Sequence, residues 1–186
     1  MNRINPIKAE KAPANIAALY EAVRADVNLV PNLIQSLGNS RASLDAYLRL
    51  NVSLAEGNLP SVLREKLALR IAKLNGCKHC LAIHYTIGGM IGIPEKELLA
   101  AEGGLSHDSR EQAALDLAEA VIATRGNVSN QFYSEITKAG ITPEDSTEII
   151  AHVAMNVFAN YFARFAQPEI EFPDKRIDSP AAASPH

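Results

Sequence analysis

Proline and glycine cut this chain into short segments, and within each segment apolar residues recur every three or four positions. That combination specifies helices, because a period near 3.6 puts such residues on one helical face while Pro and Gly end each run. Residues 13–27 carry Ile16, Leu19, Tyr20 and Val23 at these spacings, and a short helix is expected after Pro31. Residues 40–56 place Leu44, Tyr47, Leu48, Val52 and Leu54 mostly on one side, closed by Gly57. Pro60-Ser61 opens a helix that exits at Asn75-Gly76, a pair suited to the left-handed turn that ends helices. Cys77 begins the next, which runs to about residue 91, and a shorter helix lies between Pro94 and Gly103-Gly104. Helices over 108–124 and 128–138 follow, and Thr142-Pro143-Glu144-Asp145 reads as the capped start of a long one reaching about residue 165. Ala and Leu are abundant and runs of β-branched residues scarce, so the expected fold is all-α. Residues 1–166 form a single domain; from Gln167 onward Pro168, Pro173, Pro180 and Pro185 among Ala and Ser predict a partly disordered arm over 167–186.

A chain of 186 residues buries a substantial core without covalent staples, so its two cysteines are not needed to hold it together. The formal charge of −3 and the absence of basic clusters argue against nucleic acid as a partner. No apolar run approaches the ~20 residues of a membrane span, and residues 1–13 are polar and lysine-bearing, without a secretory signal's apolar stretch. The expectation is a cytoplasmic protein, where a Cys-x-x-Cys pair is catalytic or metal-binding.

The pair is Cys77-Lys-His-Cys80, with His84 four residues on and Glu65 twelve residues before Cys77. At 100° per residue Cys77, Cys80 and His84 share a largely apolar stripe with Ile87, Gly88 and Ile91, while Lys78 and His79 point elsewhere. Cα atoms three apart on a helix lie roughly 5 Å from each other, within the ~4.4–6.8 Å that disulfides accept. The unpaired N–H groups and dipole of a helix's first turn favour a thiolate, and His84, one turn from Cys80, can exchange a proton near neutral pH. On the preceding helix Lys66, Arg70 and Lys73 read as a basic solvent stripe, and Leu63, Leu67, Ile71 and Leu74 as an apolar face. Glu65 belongs to neither; it falls with Ala68, Leu69 and Ala72 on a second apolar face. A carboxylate placed there needs a partner from another helix, and His84 is the natural candidate.

Other readings stand beside this one. Cys77, Cys80 and His84 supply three zinc ligands, but there is no second Cys-x-x-Cys, and His107, His152 and His186 are scattered. His79 reads equally as a surface residue or a participant, and Glu65 as a structural carboxylate held by backbone or by Arg164. His152, Asn156 and Asn160, at i, i+4 and i+8, read as helix–helix hydrogen bonding or as the lining of a pocket or subunit contact. Ile87, Met90 and Ile91 read as core or interface packing.

The run Glu65, Cys77-Lys-His-Cys80, His84 resembles the motif of the alkylhydroperoxidase D-like branch of the carboxymuconolactone decarboxylase superfamily. The flanking text over 67–76 and 85–98, and Val30-Pro31-Asn32 upstream, is similar too, so the likeness covers most of residues 20–166 around a motif region at 60–98. The resemblance implies a compact multi-helix domain assembled as a homotrimer or homohexamer, reducing hydroperoxides with no cofactor at the expense of an external thiol or dithiol. It implies Cys80 as peroxidatic and Cys77 as resolving cysteine, Glu65 and His84 as proton relay, and His79 as auxiliary. Two rival functions are a non-redox decarboxylase-type enzyme acting on a lactone, and a redox sensor or disulfide relay without turnover.

Overall fold

The computed structural model describes residues 2–27 and 29–172. Among them are nine α-helices, one 3-10 turn (Ala9–Lys11) and no strand, so the fold is all-α. The helices are α1 (Ala14–Val27), α2 (Asn32–Leu37), α3 (Arg41–Ala55), α4 (Ser61–Leu74), α5 (Lys78–Met90), α6 (Glu95–Glu102), α7 (Ser109–Thr124), α8 (Asn130–Lys138) and α9 (Pro143–Ala166). Their starts are set by local chemistry. Ser40, Asp108 and Ser129 accept backbone N–H groups of the first turns of α3, α7 and α8. At α9 the Asp145 N–H donates to the Thr142 hydroxyl while the Thr142 N–H donates to the Asp145 carboxylate, closing a reciprocal cap. Burial alone pushes the Asp145 carboxyl up, but the Thr142 hydrogen bonds and the Arg110 guanidinium outweigh it and hold it below the usual carboxylate range.

Helix α4 is the centre of the molecule, packing against α5, α6, α7 and α9. Leu63, Leu67 and Ile71 point into one core with Leu115, Ala118, Ile149 and Val153. Leu69 and Ala72 point into another with Tyr20, Leu44, Cys80 and Tyr85. Each fully buried leucine in these layers contributes about 1.5–3 kcal/mol. Both apolar faces of α4 are therefore covered within one chain, and a helix apolar on two sides is no reason for this protein to oligomerise. Leu74, at the very end of α4, is exposed, and further exposed large apolar side chains include Met90 and Ile91 at the end of α5 and Phe158, Tyr161 and Phe165 on α9. Met90 and Ile91 are thus not core residues of the chain. Gly88 lets α6 approach α5, since a Cβ there would lie 2.6 Å from a Leu98 methyl.

The third face of α4 corrects the expected solvent stripe at Lys66 and Arg70, while Lys73 is exposed as expected. Lys66 is buried and paired with Glu97 at 2.9 Å and Glu111 at 2.7 Å. Arg70 pairs with Glu119, and Lys73 with Glu102 at 2.8 Å. Burial acts to lower the Lys66 ammonium, but the two carboxylates outweigh it and raise it above its ordinary value. The basic face of α4 is thus a seam of ion pairs holding α6 and α7.

Beyond α9, Gln167 takes a left-handed conformation, Pro168 is buried, and the Glu171 carboxylate accepts the Asn32 N–H at 2.7 Å, at the start of α2. The remainder of the expected arm, 173–186, lies outside the described residues. No helix among those described is long and apolar enough to cross a membrane.

Candidate active site

Gly76, with φ of +63°, turns the chain from α4 into α5 in the left-handed conformation expected of the Asn75-Gly76 pair. The turn is pinned to α9: the Asn75 side-chain amide donates to Asn160 Oδ1 at 3.0 Å, and Arg164 donates to the Asn75 carbonyl at 2.8 Å. Arg164 is therefore committed to the turn and is not the partner of Glu65. Cys77 follows in extended conformation as the N-cap of α5, its Sγ accepting the Cys80 N–H at 3.3 Å. Cys77 and Cys80 have Cα atoms 5.3 Å apart and sulfurs at disulfide distance.

One helical turn beyond Cys80, His84 Nδ1 meets Glu65 Oε2 across the α4–α5 interface at 2.8 Å. The pair is mostly shielded, with 20% of the imidazole and 17% of the carboxylate side chain exposed. A contact this short between such groups is a charge-assisted hydrogen bond when the imidazole is protonated. It also fixes the ring, so that Nε2 is the nitrogen left to exchange protons.

Cys80, His84 and Glu65 line one cavity of about 300 Å³, walled by apolar residues from α1, α2, α3 and α5, among them Val23, Leu33, Ile34, Leu48, Ile83 and Ile87. Cys77 does not line it and is buried beneath. The two sulfurs are thus inequivalent: Cys80 lines the cavity and Cys77 does not. Hydrophobic walls around a few converging polar groups are the usual make-up of a small-molecule site.

His79 is not on the surface. It is buried, both its ring nitrogens lack partners among the described residues, and burial pushes its imidazole below the ordinary value, a shift that Glu171 opposes and His84 assists. It does not line the cavity. His152, Asn156 and Asn160 are all buried; Asn160 forms the Asn75 bond, while His152 and Asn156 line a polar chamber behind Glu65.

Two residues escaped the sequence reading as site candidates. Tyr47 and Asn51, one turn apart on α3, line both the apolar cavity and the polar chamber. The Tyr47 hydroxyl is pushed up to about 12 by burial and then by the charge of Glu65. The signal available was two polar groups at i and i+4 within an otherwise apolar face.

Residues 41–123 match the model of the carboxymuconolactone decarboxylase family. A peroxidase-related protein from Silicibacter sp. TM1040 superposes with a TM-score of 0.78 at 17% identity, over 89% of this chain and 91% of that one. A peroxidase-related protein with an alkylhydroperoxidase AhpD core, from Ralstonia eutropha JMP134, gives 0.78 at 20% identity over 92% and 93%. A variant of the debrominase Bmp8 in complex with 2,3,4-tribromopyrrole gives 0.76 at 20% identity over 92% of each chain. No curated protein matches the chain.

Proposed function

We propose that this chain belongs to the alkylhydroperoxidase D-like branch of the carboxymuconolactone decarboxylase superfamily, a reading supported by the match over residues 41–123 and by the shared fold, and that it is a thiol-dependent peroxidase acting on small apolar hydroperoxides. The observation that carries the reading is the meeting of Cys80 with the hydrogen-bonded pair Glu65 and His84 on one apolar cavity, with Cys77 at bonding distance behind.

The thiolate of Cys80 attacks the terminal oxygen of the hydroperoxide; an S–O bond forms, the O–O bond breaks, and the electron pair departs on the alkoxide. His84, its charge balanced by Glu65, returns the proton it took from the Cys80 thiol, and the alcohol leaves. Cys77 then attacks the Cys80 sulfenic acid, forming the disulfide and expelling water. An external thiol or dithiol restores the pair by exchange and is itself oxidised. The apolar walls favour an alkyl or aryl hydroperoxide over hydrogen peroxide, which gains nothing from hydrophobic contact. His79, neutral and away from the cavity, has a supporting place in this scheme at most.

The test is steady-state turnover with organic hydroperoxides and a panel of thiol reductants. Sustained consumption of both supports the enzyme, a single oxidation per chain supports a sensor, and no oxidation supports a decarboxylase-type activity. A second reading rests on the fold shared with the debrominase: a dithiol carries the two electrons that replace an aryl bromide by hydrogen, with release of bromide. Bromide release from a bromopyrrole, with no hydroperoxide turnover, would favour it.

A further inference from the structure

Glu65 faces two chambers. On one side lies the apolar cavity with Cys80; on the other lies a polar chamber of about 140 Å³, into which Arg64, His152 and Asn156 also project. Tyr47, Asn51, Glu65 and His84 line both and form the wall between them. The wall residues come from α3, α4 and α5, and His152 closes the far side from α9.

The chamber holds polar atoms that the protein does not satisfy. His152 is 3% exposed and its Nε2 has no partner among the described residues. Glu65 gives Oε2 to His84, and among the described residues no donor reaches its other oxygen. Among the described residues no hydrogen bond engages the partly buried Tyr47 hydroxyl, and the Asn51 amide, on an exposed residue at the rim, faces solvent. The charges nearby are committed elsewhere: Arg64 donates to the carbonyls of Ala55 and Leu59, and Glu148 accepts the N–H groups of Asn58 and Leu59. Buried polar atoms in native proteins find partners, and where protein supplies none, ordered water does. At ~30 Å³ each, roughly four waters fit this volume.

We propose that the chamber is a hydrated compartment serving the relay, and that His152 is a positioning residue whose Nε2 anchors the water bound to the second oxygen of Glu65. The inference rests on the Glu65–His84 relay proposed above. Its consequence is orientation. With its second oxygen held by water, Glu65 keeps Oε2 on His84, and the relay reaches water without wetting the apolar cavity. The proton leaving Cys80 passes to His84 and returns to the alkoxide, so no net proton is consumed. Burial and Arg64 push the His152 imidazole below its ordinary value, against the opposing charges of Glu148 and Glu65, which suits a neutral anchor.

The test compares His152→Leu with His152→Gln, which keeps a hydrogen-bonding side chain, each in wild-type and Glu65→Gln backgrounds. The readout is the pH profile of Cys80 alkylation in reduced full-length protein, which needs no peroxidase turnover and so fails independently of the assigned reaction. His152→Leu should slow alkylation at neutral pH roughly tenfold, the worth of one hydrogen bond to a charged group. His152→Gln should restore most of it, and neither should matter once Glu65 is Gln. Tyr47→Phe removes one chamber hydroxyl without changing packing and should show the same dependence on Glu65, so the test survives if His152→Leu fails to fold. Wild-type profiles in His152→Leu and Tyr47→Phe, or equal losses in the Glu65→Gln background, would overturn the proposal.

Discussion

Replacing Glu65 by Gln isolates the charge of the relay from its shape. The Gln carbonyl can still accept from His84 Nδ1 at the 2.8 Å seen for the carboxylate, so packing and hydrogen-bond count are kept. What disappears is the difference between a charge-assisted and a neutral hydrogen bond, about 1–2 kcal/mol. At 1.4 kcal/mol per decade this converts to a roughly 5- to 30-fold loss in stabilisation of the imidazolium. Complete loss of acid–base assistance sets the ceiling, at about 10²- to 10⁴-fold. Iodoacetamide alkylation of Cys80 against pH, kcat/KM for an organic hydroperoxide, and Tm are measured side by side. The variant should alkylate more slowly near neutrality, turn over at least fivefold more slowly, and melt no lower, because a carboxylate only 17% exposed costs solvation to bury. Superimposable alkylation profiles with a lowered Tm would refute the reasoning and leave Glu65 as scaffolding.

Cys77→Ser should abolish the disulfide and leave peroxide-treated Cys80 as sulfenic or sulfinic acid, read as added oxygen in the peptide mass instead of a loss of two hydrogens. Asp145→Asn should destabilise the protein by about 0.5–2 kcal/mol at pH 7 through its effect on the α9 cap. Because the folded Asp145 carboxyl is held below its usual range, its contribution is present above the unfolded value and lost as pH falls through the folded one. The gap in denaturant midpoint between wild type and variant should therefore narrow below about pH 4. The exposed Phe158, Tyr161 and Phe165 on α9 fit an assembly of several chains, trimer or hexamer, and light scattering should return a multiple of 20.1 kDa; the mass of one chain at micromolar concentration would count against it.

The sequence carried those features that one helix expresses by itself. The shared face of Cys80 and His84 follows from their spacing, whereas Cys77, the extended N-cap, leaves that face and does not line the cavity; the isolation of Glu65 follows from Ala68 and Leu69 one turn on. The Thr142 to Asp145 cap lies within four residues. What depended on distant parts of the chain was hidden. Lys66 looks like a solvent-facing lysine because its carboxylates, Glu97 and Glu111, are 31 and 45 residues away. A helical wheel puts His79 off the thiol stripe, but says nothing of what packs over that side, and there it is buried. Tyr47 and Asn51 looked like ordinary α3 residues, because the two chambers they line are completed by α4, α5 and α9.

Cys77 caps α5 and, in the proposed reaction, also carries one of the two sulfurs that change oxidation state. Its sulfur accepts the Cys80 N–H, and a Cys77 thiolate is a stronger acceptor than a disulfide sulfur, so the proposed redox cycle would tighten and loosen the start of the helix. The chemistry thereby writes itself into the backbone. A single amide, that of Cys80, should exchange its hydrogen more slowly in the reduced protein at a pH where the thiolate forms than in the oxidised one, giving a reporter of redox state that requires no label and no substrate.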